Sequence, residues 1–351
     1  MTDVPGLDLA GLAAWIDRAH PEFAPGSGAD GVTASVIAGG RSNLTYAVEG
    51  TRTPLILRRP PLGHVLASAH DMRREHRVIA ALAGSPVPVP VAVDVVDDTE
   101  AHEVTGTVFF VMERAPGRVL AHADQNVDYS PGALRALSLE LAEHLADLHS
   151  VDPDSAGLSD FGRPQGYLDR QLATWRRQLD ASRSRETPDL DRLQAALEAA
   201  VPASGPPAIV HGDYRLDNAL VVGSGDDARI SAILDWEMAT LGDPLVDLGM
   251  FAVYWQIGDL DDGLSSAVPS AVDPAAGYPG IDELIDAYAA QRKIAVPPLG
   301  WYRSFAAYKL AVILEGIHYR FRAGDTVGAG FDRIGGLVEP LARRGLPLTG
   351  S

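Results

Sequence analysis

At 351 residues the chain suits one large or two modest domains, and 46% hydrophobic with 22% charged residues is ordinary for a globular protein. A formal net charge of -18 argues against nucleic acid and anionic membranes as partners. Apolar runs such as Val108-Phe109-Phe110-Val111-Met112 fall far short of the ~20 residues of a membrane span, and the absence of cysteine excludes disulfides and thiolate metal sites.

Helical spacing covers residues 8–19, followed by strand-like runs at 31–38, 43–49 and 54–59. Gly39-Gly40-Arg41-Ser42 forms a glycine turn between the first two strands. A helix is predicted from about 67 to 82, with Met72, Val78, Ile79 and Leu82 on its apolar side, and two more strands at 91–96 and 107–113. Ala115-Pro116-Gly117 punctuates the chain, giving a first domain of 1–114 and a second of 115–351.

Beyond that point the pattern is mainly helical. Leu134, Leu137, Leu141, Leu145 and Leu148 recur at steps of three and four over 131–150. Further helices are predicted at about 165–182, 189–200, 244–255, 281–291, 300–322 and 332–344. Short strands lie between them at 208–210, 219–222 and 230–234. The Pro/Ser/Ala/Gly-rich stretch 264–280 is long enough for a mobile lid. The ten scattered histidines lack zinc-hydrolase spacing, and the N-terminus, with Asp3, Asp8 and Asp17, does not read as a secretory signal.

Chemistry concentrates in His211-Gly212-Asp213-Tyr214-Arg215-Leu216-Asp217-Asn218 and in Ile233-Leu234-Asp235-Trp236-Glu237. Each acidic or amide residue of interest stands at the end of an apolar strand. Asp213 is placed to accept a proton or orient an attacking hydroxyl during phosphoryl transfer. Asn218 and Asp235 offer hard oxygen ligands suited to Mg²⁺. Gly223-Ser224-Gly225-Asp226-Asp227 is a good turn between the intervening strands.

These motifs resemble the aminoglycoside phosphotransferase-like kinases, relatives of protein kinases, and within them the branch found fused to acyl-CoA dehydrogenases. His211, Asp213 and Asn218 match the family's H-x-D-x-x-x-x-N loop, and Leu234-Asp235-Trp236 its second metal segment. Gly242-Asp243-Pro244 and Asp247-Leu248 match its G-D-P-x-x-D-L pattern.

The resemblance implies an α+β, bilobal protein-kinase-like fold: a five-stranded antiparallel first lobe with one helix, then a mainly helical second lobe. It further implies that Ser42 and Asn43 belong to the turn covering the phosphates and that Arg58 is the phosphate-binding cation. Glu75 is implied as its helix partner. The resemblance also implies that Met112 stands behind adenine and that the Glu113 carbonyl and Ala115 amide read the base. Many relatives have Lys where this chain has Arg58, but a guanidinium can hold phosphate and Glu75 in bidentate fashion. Strand alternation sends Arg59 to the opposite face.

Other polar residues have ordinary structural readings. Asp243-Pro244 reads as a helix start, and Asp247 as a residue that also braces the catalytic loop in the family. Glu315, His318 and Arg322 read as a polar edge on a packed helix or as contacts to an acceptor. His144 and His149 read as structural.

The function expected is transfer of the γ-phosphoryl of ATP, with Mg²⁺, to a hydroxyl of a small cytoplasmic metabolite. The resemblance points to a hydroxyacyl compound or its CoA thioester and to a link with acyl-CoA metabolism. The alternatives are an aminoglycoside or macrolide phosphotransferase, and a non-catalytic nucleotide-binding module.

Overall fold

The computed structural model describes residues 4–25, 31–37, 43–62, 71–259, 268, 270–324 and 331–348. The fold is α+β and divides into two compact units. Met1–Pro116 with Ala232–Glu237 form the first, and Gly117–Ser231 with Met238–Ser351 the second.

The first unit runs α1 (Leu9–Ala19), β1 (Thr33–Val36), β2 (Leu44–Glu49), β3 (Leu55–Arg59), α2 (Met72–Leu82), β4 (Ala92–Asp97) and β5 (Val108–Glu113). The strands form one antiparallel sheet in the order β1-β2-β3-β5-β4. Strand alternation gives each face its own helix. Tyr46, Val48, Leu55, Leu57, Phe109 and Val111 pack with Leu12, Trp15 and Ile16 of α1. Each such side chain contributes roughly 1.5–3 kcal/mol when fully buried.

Across the sheet, α2 packs on β4 and β5 with Val78, Ile79 and Leu82 buried. In the register, Ile56 lies opposite Met112 and Arg58 opposite Phe110, so these four share the face that α2 covers. Arg59 takes the other face, donating to the carbonyls of Gly6 and Thr105.

Helix α2 begins at Met72 rather than near 67 because Asp71 is its N-cap, accepting from the Arg74 amide at 3.1 Å. The rest of that expectation, 67–70, lies outside the described residues, as do the predicted Gly39–Ser42 turn and residues 264–267 and 269 of the predicted lid.

The second unit contains β6 (Arg118–Val119), α3 (Pro131–Leu148), α4 (Tyr167–Ser182), α5 (Pro188–Ala199), β7 (Ala208–Val210), β8 (Ala219–Val222), β9 (Arg229–Ile233) and β10 (Thr240–Gly242). It continues with α6 (Leu245–Trp255), α7 (Ile281–Arg292), α8 (Gly300–Ala323), α9 (Phe331–Ile334) and α10 (Val338–Gly345). The last two residues of β9 belong to the first unit. Two small sheets, β10-β7 and β6-β8-β9, bracket the loop that follows β7.

Helix α8 is apolar nearly all round and is packed by α4, α5, α6 and α10, the position such a helix must take. The single helix predicted over 332–344 is instead two, separated by a 3-10 turn at Gly335–Leu337. Paired glycines there weaken helix continuity. A Cβ on Gly335 would fall 2.5 Å from the His318 ring. Among the described residues no helix is long and apolar enough to cross a membrane.

Candidate active site

In the first unit, four charged residues converge. Arg58 on β3 donates from Nη1 to Glu75 Oε1 on α2. Its Nη2 lies 3.8 Å from Asp235 Oδ1 and 4.0 Å from Glu237 Oε2. Asn43, at the start of β2, donates from Nδ2 to Glu237 Oε2 at 3.1 Å. One guanidinium therefore serves three carboxylates, and three buried atoms remain unpartnered: Arg58 Nε, Glu75 Oε2 and Asp235 Oδ1. Buried polar atoms without partners are costly unless something outside the chain engages them.

Asp235 has φ 66°, in the left-handed region where only Asn and Asp among larger residues are at ease. Such backbone is retained where surrounding structure fixes it, commonly at working sites. Trp236, fully buried and donating to the Ile233 carbonyl at 2.9 Å, anchors the turn that aims Asp235.

Burial is the largest influence on Glu75 and pushes its carboxyl up. Arg58 pulls it down, Asp235 and Glu237 push it up further, and it comes to about 7. A carboxyl whose folded pKa is raised binds its proton more tightly in the native state, so its contribution to stability falls as pH rises from 4.5 to about 7. The gap amounts to on the order of 3 kcal/mol. In chelator-treated protein, the stability of the wild type relative to Glu75→Gln should therefore decline across this window in urea denaturation. Parallel pH profiles for the two proteins would remove the assignment.

In the second unit, β7 delivers His211, Gly212 and Asp213 onto a loop held from several sides. Asp247, on the first turn of α6 and wholly buried, accepts from the His211 amide at 2.7 Å and the Gly212 amide at 2.8 Å. Burial would raise this carboxyl, yet it lies below the usual range. The His149 hydrogen bond, the nearby imidazoles and the Gly212 amide together outweigh desolvation. His149 reaches it through Nε2 at 3.1 Å while Nδ1 meets the Tyr288 hydroxyl at 2.8 Å. Tyr214 ties the loop to α3 by donating to the Leu141 carbonyl at 2.7 Å.

On this support Asp213 and Asn218 face each other. The Asn218 Nδ2 donates to the Asp213 carbonyl at 2.8 Å and to its Oδ2 at 3.1 Å. That use of the amide nitrogen turns Asn218 Oδ1 away as a free hard donor. Arg215 pairs with Asp217 and lies 4.4 Å from the Tyr254 ring centroid. Burial and then the Asp213 charge push the Tyr254 phenol up, and its hydroxyl is hydrogen-bonded to Asp213. A cavity beside the loop is lined by Leu120, Arg215, Asp217, Phe251, Tyr254 and Trp255, among others.

Residues 33–292 match the model of the phosphotransferase enzyme family. The chain belongs to that family. Among curated relatives it is 32% identical over 350 residues to Acyl-CoA dehydrogenase family member 11 of Gallus gallus, covering 98% of this chain and 44% of the relative. It is also 32% identical to Acyl-CoA dehydrogenase family member 10 of Mus musculus, covering 86% of this chain and 28% of the relative. The chain thus spans less than half the length of these relatives.

Among solved structures, a candidate aminoglycoside phosphotransferase from Ralstonia eutropha aligns over 98% of both chains with 29% identity and a TM-score of 0.81. A ternary complex of aminoglycoside phosphotransferase APH(4)-Ia with AMP-PNP and hygromycin B shares 14% identity, covers 96% of this chain and 98% of that one, and has a TM-score of 0.60. The latter likeness is one of fold.

Of the residues singled out in the sequence, the first unit brings together Asn43, Arg58, Glu75 and Asp235, and the second brings together Asp213 and Asn218. Met112 is buried on the sheet face it shares with Arg58. Glu113 and Arg114 give their amides to Val91 and Pro54, so the sheet's hydrogen bonding stops before Ala115. Ser42 lies outside the described residues. Glu315 is buried and paired with Arg185 at 2.7 Å, which makes it structural.

Sequence reasoning missed Tyr254 and Lys309. Tyr254 carries no local signal. Lys309 has one: a lone charge inside the apolar run from Phe305 to Leu314.

Among the described residues no three His, Asp or Glu side chains form a self-contained metal cage. Magnesium does not require one, since it is held by one or two carboxylates together with phosphates and water. The buried, unpartnered Asp235 Oδ1 and the free Oδ1 of Asn218 are oxygen donors of the kind it takes.

Proposed function

We propose that this chain is a small-molecule kinase that transfers the γ-phosphoryl of ATP to a hydroxyl of a metabolite. The observation that carries the reading is the Asp213–Asn218 pair on a loop braced by Asp247. The Asp213 carboxylate accepts from Asn218 Nδ2 and is hydrogen-bonded to Tyr254, on a loop whose Arg215, Leu216 and Asp217 line a cavity. In this reading Asp213 accepts the hydroxyl proton or orients the attack, an action worth about 10²–10⁴-fold.

Nucleotide handling falls to the first unit. Arg58, held by Glu75, receives phosphate, with Ser42 and Asn43 in the covering turn and Met112, Glu113 and Ala115 around the base. Asp235 and Asn218 are the magnesium ligands. Magnesium offsets phosphate charge when bound. Residues 1–114 and 115–351 are the corresponding functional divisions, acting in the cytoplasm on a soluble acceptor.

The acceptor we favour is a hydroxyacyl compound, free or as its CoA thioester. The cavity beside the catalytic loop has, among the described residues, an apolar wall of Leu120, Phe251 and Trp255, one cation in Arg215 and one carboxylate in Asp217. A polycationic aminoglycoside calls for a pocket rich in carboxylates, and the relatives named as acyl-CoA dehydrogenase family members point the same way. The aminoglycoside reading draws on the hygromycin B complex among the fold neighbours.

Incubating the protein with γ-labelled Mg-ATP and a panel of hydroxy acids, hydroxyacyl-CoAs, aminoglycosides and macrolides separates these readings. Labelled hydroxyacyl product that disappears with Asp213→Ala is expected. Label on aminoglycosides alone would overturn the acceptor class. Label on nothing in the panel would count against the kinase itself.

A further inference from the structure

Lys309 sits on α8 between Phe305, Ala306, Ala307 and Tyr308 on one side and Leu310, Ala311 and Val312 on the other. Every one of them is buried, and Lys309 itself is only 3% exposed. Lysine is almost never fully buried without a partner, because its ammonium forfeits hydration there. Desolvation pulls its pKa below the ordinary lysine value, while the charges of Asp213 and Asp247 pull it back up. Packing alone would be better served by Met or Leu, so the ammonium has a task.

Its contacts say which. Nζ donates to the Gly212 carbonyl at 2.6 Å and lies 5.2 Å from the Trp175 ring centroid. Gly212 has φ 87°, and a Cβ there would fall 2.8 Å from Met238 Cβ and 2.9 Å from its carbonyl oxygen. This backbone conformation is open to glycine, and it turns the amide toward Asp247 and the carbonyl toward Lys309. The amide at the other end of the same peptide, that of Asp213, donates to His211 Nδ1 at 3.2 Å. The peptide leading into Asp213 is therefore gripped at both ends.

We propose that Lys309 is a positioning residue for phosphoryl transfer, locking the Gly212–Asp213 peptide through the Gly212 carbonyl. This rests on Asp213 being the base. Lys309 itself passes no proton and touches no substrate.

Lys309→Met keeps length and apolar packing while removing donor and charge. It should lower kcat by about 10²-fold, the cost of a misplaced catalytic group, and leave KM for Mg-ATP within about twofold. Amide exchange in the 209–218 segment, followed by mass spectrometry, should quicken about tenfold, with α7 unchanged. Propylammonium should restore part of kcat to Lys309→Ala, and propanol should not. If Lys309→Met does not fold, Lys309→Gln takes its place. Undiminished kcat, a loss seen in KM for ATP alone, or loop exchange equal to wild type would each overturn the proposal. A wild-type protein that phosphorylates no acceptor would sink the kinase reading, and loop exchange would still decide whether Lys309 holds the loop.

Discussion

Replacing Asp213 by Ala is expected to lower turnover by about 10²–10⁴-fold, the range for loss of a general base, while Mg-ATP still binds within about twofold. The separation follows from how the loop is held. Its backbone is fixed by Asp247 through the His211 and Gly212 amides, by Lys309 through the Gly212 carbonyl, and by Tyr214 through Leu141. The Asp213 carboxylate contributes side-chain bonds alone, from Asn218 Nδ2 and the Tyr254 hydroxyl, and Asn218 keeps a second acceptor in the Asp213 carbonyl. Truncation therefore removes the base without releasing the loop. Steady-state kinetics and calorimetry on the same preparation check both halves. Turnover within threefold of wild type would exclude Asp213 as base, and loss of ATP binding would recast it as a ligand-holding residue.

The parts of this picture that could be read in the sequence are those with a local period. Short apolar runs marked the strands at 54–59 and 107–113, and the two-residue period of a strand then sent Arg58 and Arg59 to opposite faces. Leucines at steps of three and four marked α3. Strands β6 and β10, of two and three residues, are too short to show a period and pass as loop.

What could not be read depends on chain segments meeting. The assignment of Ala232–Glu237 to the first unit, which sets Asp235 and Glu237 against Arg58, has no local cue. The raised Glu75 carboxyl follows from that meeting, because two added carboxylates compete for a single guanidinium. Lys309 is similar: its neighbours in sequence say only that it is buried, and ninety-seven residues separate it from the carbonyl it serves. A lone charge in an apolar helix is thus a prompt to search for a partner, which the sequence cannot name.

Asp235→Asn is expected to weaken Mg-ATP binding by roughly 10–150-fold, the loss of one charge-assisted contact worth about 1.5–3 kcal/mol. Asn is the informative replacement. At φ 66° it tolerates the left-handed backbone, whereas Ala would add a conformational cost of roughly 1–2 kcal/mol to any effect of charge. Free ATP in chelator gives the opposite expectation. Asp235 and Glu237 both stand within 4.0 Å of Arg58, the cation assigned to phosphate. Removing one of those negative charges leaves Arg58 freer to attract an anion, so metal-free affinity should hold or rise. A structural role for Asp235 would weaken both titrations alike. Calorimetry with and without Mg²⁺ distinguishes them by sign, and equal affinity for Mg-ATP before and after substitution would reject the metal assignment.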